Sequence, residues 1–193
     1  MKKMLFVAVL LLGLFCKWPT NAFAADSSWL KLSLWGDTAV GISHGIDRVQ
    51  GLDLGIGSKT ETVVGVQLDI IYGDTYKVRG VKSAWIYSTA DIVYGLQGGI
   101  VTVNRQDMRG IQGGLVSINE GYMAGLNDGY VNISKGEVVG LQLGLVNWTT
   151  GSLTGVQLGL VNYVNHIKGL QIGLVNIAKN GWFPVMVLVN GRF

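Results

Sequence analysis

GLQLGLVN at residues 140–147 returns as GVQLGLVN at 155–162 and as GLQIGLVN at 169–176. Aligned on the first glycine, the phrase extends backwards to Gly51, Gly65, Gly80, Gly95, Gly110, Gly125, Gly140, Gly155 and Gly169, nine starts spaced 14 or 15 residues apart. One short repeated unit therefore builds most of the chain. The residue after each glycine is aliphatic and the next is polar, in order Asp53, Gln67, Lys82, Gln97, Gln112, Asn127, Gln142, Gln157 and Gln171. Two positions later the chain is usually small, and the position after that is always large and apolar, from Ile56 and Ile70 through Trp85 to Leu174. Such alternation is a strand signal, with one greasy face and one face of Gly, Gln and Gly.

Between these strands lie GDTY, STAD, NRQD, NEGY, SKGE, TTGS and AKNG. They are read as turns, because their residues supply positive φ or bond the backbone through short polar side chains. Asn132, Asn147, Asn162 and Asn176 close the strands where the turns begin and are read as turn punctuation. No helical period follows the N-terminal segment.

The first 24 residues carry two lysines, an apolar run from Met4 to Cys16 and the small-residue ending Ala22-Phe23-Ala24. This is the pattern of a cleaved secretory signal peptide, leaving 25–193 as a single repeat-built β domain. Its removal takes three of the 15 basic residues and none of the 12 acidic ones, so the exported chain is electrically balanced. The balance argues against a nucleic-acid partner. It also leaves no cysteine, so stability is expected from burial or from a bilayer rather than from disulfides.

At the other end, Phe183, Val185, Val187, Val189 and Phe193 share one parity. They resemble the C-terminal strand of Gram-negative outer-membrane β-barrels, which implies an insertion signal read by the outer-membrane assembly machinery. The positions one, three and five past each glycine number 27 and hold one charge, Asp128, and one aliphatic hydroxyl, Ser83. The expected fold is therefore an all-β, antiparallel transmembrane barrel of about 10–12 strands, its apolar face in the lipid bilayer. Asp53, Gln67, Lys82, Gln97, Gln112, Asn127, Gln142, Gln157 and Gln171 would form a belt around its lumen. One feature favours the alternative, a parallel β-solenoid with stacked Gln and Asn ladders. Val49, Val63, Val78, Val93, Met108, Met123, Val138, Leu153 and Ile167, two residues before each glycine, share the parity of the glutamines and are always apolar. A barrel lumen has no need of them unless a bulge at the glycine switches their side.

The repeat G-[LV]-Q-[LI]-G-L-V-N, with LQIGLVNIAKNG before a Pro-containing apolar end, resembles an uncharacterised family of bacterial, leptospiral-type surface-repeat proteins. The resemblance spans about residues 46–193 and implies an envelope or surface location without an activity.

Candidates for chemistry are few. GISHG at 41–45 fits G-x-S-x-G with His44 beside Ser43, but that motif needs a strand-turn-helix setting that the sequence lacks. LGIGSKT at 54–60 misses the P-loop spacing, and His44 and His166 are not spaced as metal ligands. No catalytic residue, cofactor or metal is expected. The functional expectation is a non-enzymatic, porin-like outer-membrane barrel, structural or a narrow and weakly selective pore. The alternatives are a secreted or surface solenoid for adhesion or envelope structure, and a lipid-modifying barrel enzyme using Ser43 and His44.

Overall fold

The computed structural model describes residues 27–36, 38–39 and 46–193. The signal-type segment and the Ser43–His44 pair lie outside the described residues. The chain forms β1 (Ser27–Trp35), β2 (Thr38–Ala39), β3 (Arg48–Ala84), β4 (Tyr87–Gly98) and β5 (Val101–Asn119). It continues as β6 (Tyr122–Ser134), β7 (Val138–Leu143), β8 (Val146–Leu158), β9 (Val161–Ala178) and β10 (Val185–Arg192). From β3 to β9 every neighbouring pair is parallel and in repeat register: Gly80 lies beside Gly95, Gln97 beside Gln112, Asn147 beside Asn162. The barrel expectation is thereby corrected. An antiparallel meander would pair each strand with the reversed copy of its neighbour, whereas here like residues stack on like, and the fold is a parallel β-solenoid.

Each coil closes because of where its small residues fall. The nine repeat glycines all have positive φ, between 133° and 155°. A Cβ at each one from Gly65 onward would fall well inside contact distance of the carbonyl oxygen of the glycine one coil earlier. The backbones of successive coils thus touch at this column, and only glycine satisfies both the dihedral and the approach. A second column of small residues (Gly129, Gly144, Gly159, Gly173) bends the chain again. There an added Cβ would lie 2.6–2.8 Å from an asparagine side chain inside the coil. The polar segments, expected as turns, mostly stay within strands (73–76 in β3, 88–91 in β4, 104–107 in β5, 149–152 in β8), so strand pairing continues through them; the register shifts that absorb length variation fall in two of them. The one 14-residue unit late in the chain drops its residue at the register shift between Thr149 and Ser152, so the ladders on either side stay aligned.

From Gly95 onward the side chains inside each coil come from the second, seventh and ninth positions after the glycine and from the residue two before the next glycine, whereas the coils after Gly65 and Gly80 turn their eighth and tenth positions inward instead. The residues two before each glycine, Val49 through Ile167, are no more than 2% exposed and make the apolar part of the core. No bulge at the glycine switches their side; the same parity runs through it. The ends differ. β1 runs parallel to β3 and starts the stack, setting Lys31 beside Asp53. β10 reverses and pairs antiparallel with β9, placing Asn190 on Gln171 and Arg192 on Gly169. Phe183, Val185, Val187, Val189 and Phe193 therefore belong to a terminal cap. Leu188 has φ 69° and the register slips between Met186 and Leu188, so their shared sequence parity does not survive as one regular face.

The glycine column yields a sharp contrast. Gly140→Ala should lower the unfolding free energy by about 2–5 kcal/mol, since it combines a strained φ with backbone overlap. Gly98→Ala, whose Cβ would meet nothing nearer than the Ser83 hydroxyl at 3.7 Å, should cost less than about 1 kcal/mol in the same urea titration. Equal effects would refute the close-approach account.

Candidate functional surface

The interior of this solenoid is chiefly polar. Among the described residues, 28 polar or charged side chains are buried against 14 apolar ones. Burying an amide costs free energy unless it finds partners. Two ladders supply them. In the first, the Asn132 side chain donates to Asn147 Oδ1, Asn147 to Asn162 Oδ1, and Asn162 to Asn176 Oδ1, each at 2.8 Å. The same amides donate to the Leu143, Leu158 and Ile172 carbonyls at 2.6–3.0 Å, and the last two of these carbonyls also accept the backbone N–H of Gly144 and Gly159. These asparagines were expected to punctuate turns; they are instead fully buried rungs. Coil stacking places each one on its copy, a contact between residues 14 or 15 apart that no local turn rule reports.

The second ladder contains all nine residues expected to ring a lumen. Gln157 donates to Gln142 Oε1 at 2.7 Å and Gln171 to Gln157 Oε1 at 2.8 Å. Asp53, Gln67, Lys82, Gln97, Gln112, Asn127, Gln142, Gln157 and Gln171 are 0–2% exposed. They form a line along the solenoid axis rather than a ring around a channel, so the lumen-belt reading is corrected. The column extends beyond the expected set to Lys31 at one end and Asn190 at the other. Asn127 interrupts it. One methylene shorter than its neighbours, its amide has no protein hydrogen-bond partner, and Gln142 turns instead to the Ser134 hydroxyl at 2.9 Å.

Near the N-terminal end the ladder becomes ionic. Lys82 Nζ donates to Gln67 Oε1 and Thr75 Oγ1, both at 2.9 Å, and Lys31 Nζ donates to Thr60 Oγ1 at 2.9 Å, which itself donates to Asp53 Oδ2 at 2.7 Å. Asp69 occupies a position where later coils have glycine, and neither of its carboxylate oxygens has a geometric hydrogen-bond partner. Burial pushes its carboxyl up to about 6, against the pull of Ser58 and the Lys82 charge. Burial likewise lowers Lys82 to about 8, with Asp69 and Asp53 opposing it, and raises Asp53.

The outer surface inverts the usual arrangement. The first and third positions of the repeat form one flank, the sixth and eighth a second, and the fifth the ridge between them. The ridge residues Ile70, Trp85, Ile100, Leu115, Tyr130, Leu145, Leu160 and Leu174 are 47–75% exposed. On the second flank Trp148 stacks on Tyr163 with ring centroids 4.1 Å apart. From Gly95 to Ile177 the ridge and flanks hold one charge, Asp128. The remaining side carries the other exposed charges of those coils; Arg105 bridges Asp74 at 3.1 Å and Asp91 at 2.8 Å, and Lys135 bridges Glu120 at 2.7 Å. Arg109 lies over the rings of Tyr94 and Tyr122 on that side. The alternating apolar positions were legible in the sequence, but the second flank was not, because its residues follow a corner that breaks the period of two.

Two stability measurements follow. Asn127→Gln should restore the amide column and raise the unfolding free energy by about 1 kcal/mol. For the ionic segment, native Asp69 holds its proton up to about pH 6 while the unfolded residue releases it near 3.8, so stability should fall as pH rises between those values. Native Lys82 loses its proton near 8 and unfolded Lys near 10.5, so stability should recover as pH rises across that window. The resulting minimum between pH 6 and 8 should vanish in Asp69→Asn/Lys82→Gln, which should gain on the order of 2 kcal/mol at pH 7. A flat profile for the unsubstituted protein would contradict the assignment.

Neither protein-family models, nor curated proteins, nor solved structures match this chain.

Proposed function

We propose that the chain is an exported, non-enzymatic β-solenoid that serves at the cell surface in adhesion or envelope structure. The observation that carries this reading is the inversion of its chemistry. Amides fill the core, while two flanks and a ridge of large apolar side chains face outward. Consecutive coils sit about 4.8 Å apart, so the nine glycine-aligned rungs make a surface about 38 Å long. With each flank about 13 Å wide, the two together approach 1,000 Å², above the 300–600 Å² of the largest apolar patch on a typical monomer. A surface of that kind belongs against something else, and a rigid ladder-locked scaffold suits a holding role. The amide groups that could take part in chemistry are turned inward and committed to one another. The signal-type segment and the surface-repeat resemblance point to the same compartment.

The test is labelling of intact source cells with a membrane-impermeant amine reagent. Lys135 and Lys179, both exposed on the charged side, should be modified, and deletion of residues 1–24 should abolish the labelling. Protection in intact cells with full labelling after lysis would sink the surface reading.

A further inference from the structure

We propose that the apolar ridge and its two flanks bind the interface of a lipid bilayer, the solenoid lying along the membrane with its charged side toward water. This proposal rests on the surface-attachment reading above and names the partner.

Shape decides between the two principal occupants. The apolar surface wraps a convex corner, with Leu145 and Leu160 on the ridge and Leu143 and Val146 falling away on either side. A second copy of the chain is rigid and could cover one flank, about 500 Å² per partner by the dimensions above. A stable interface needs about 800 Å² per partner, and the other flank would remain in water. Lipid is deformable and covers both flanks of a ridge at once.

The distribution of charge fixes the orientation. Between Gly95 and Ile177 the ridge and flanks carry Asp128 alone, whereas the remaining side carries both cations and anions, Arg105 and Lys135 among them paired with carboxylates. The arrangement is that of an amphipathic helix in a membrane interface, transposed to a solenoid. Because the charged side is nearly balanced, apolar burial and not attraction to anionic headgroups supplies the binding. Trp85 and Tyr130 on the ridge and Trp148 on the second flank are amphipathic rings of the kind enriched at that depth. Inside, the Gln and Asn ladders need nothing from the membrane, so the protein docks as a folded body and does not insert strands.

The experiment is flotation of the exported chain, processed after Ala24, with phosphatidylcholine vesicles in low and 1 M salt. Co-flotation is expected in both, within twofold. The ridge variant Leu145→Arg/Leu160→Arg should reduce it at least tenfold, while Lys135→Glu on the charged side should leave it unchanged. Matching circular dichroism spectra and melting curves would establish that the ridge variant folds. Should it not fold, quenching of tryptophan emission by brominated phosphatidylcholine in the unsubstituted protein, diminished in Trp85→Phe, is the independent readout. Absence of flotation, or flotation abolished by salt, would overturn the lipid proposal. If the chain fails to float yet self-associates through a surface that Leu145→Arg/Leu160→Arg disrupts, lipid is wrong and attachment through the ridge survives. If it neither floats nor associates, both readings fall.

Discussion

The structure depends on one constraint: side-chain amides buried in the core find their partners only when successive coils stack in register, amide on amide and amide on the carbonyls and hydroxyls of the same or adjacent coil. An asparagine in the column at Asn132, Asn147, Asn162 and Asn176 has its carbonyl and amino groups directed along the stack, and each rung donates to the next at 2.8 Å. The bond is made only if coils are in register and at strand spacing. A slip of one residue would turn every amide outward and bring the apolar ridge into the core. The constancy of the repeat length and the glycine column, where backbones touch, are consequences of holding that register. Length changes fall away from the Gln and Asn columns, as at the register shifts between Ala90 and Ile92 and between Thr149 and Ser152.

The same constraint explains the exterior. When the inward positions of a short coil are spent on amides and small residues, apolar side chains at the alternate positions must face out. Burial of the column two residues before each glycine, from Val49 to Ile167, supplies a modest hydrophobic core, and the ladders supply specificity of register. The polar core and the greasy ridge are therefore two sides of one pattern, which is why attachment to an apolar partner is the natural reading of the surface.

The N-terminal coils show how far the pattern bends. Where Asp53 and Lys82 replace glutamine, the column stays buried and the chain supplies Lys31, Thr60, Thr75 and Gln67 as partners. Asp69 at a glycine position gives this segment a second buried carboxylate, and desolvation makes it hold its proton. The charged segment costs stability relative to an amide ladder, since desolvating ions is expensive even when they are paired.

Much of this protein was decided by sequence alone: a repeat of 14–15 residues, strands instead of helices, glycines at fixed places, and two faces of opposite chemistry. The nine belt residues were correctly grouped onto one face, and the apolar residues two before each glycine already marked that face as part of a core. Only the tertiary structure decided which face is enclosed. A period of two defines two sides of a strand but not the neighbour against which each side rests; a barrel and a solenoid read alike until pairing direction is known. Pairing direction is set by contacts between residues 15 apart, such as Gln142 with Gln157, and by the bends at the two glycine columns. Those depend on inter-coil geometry that no single unit contains, and they turned an expected lumen into a closed amide core and an expected membrane-spanning face into the outside of a solenoid.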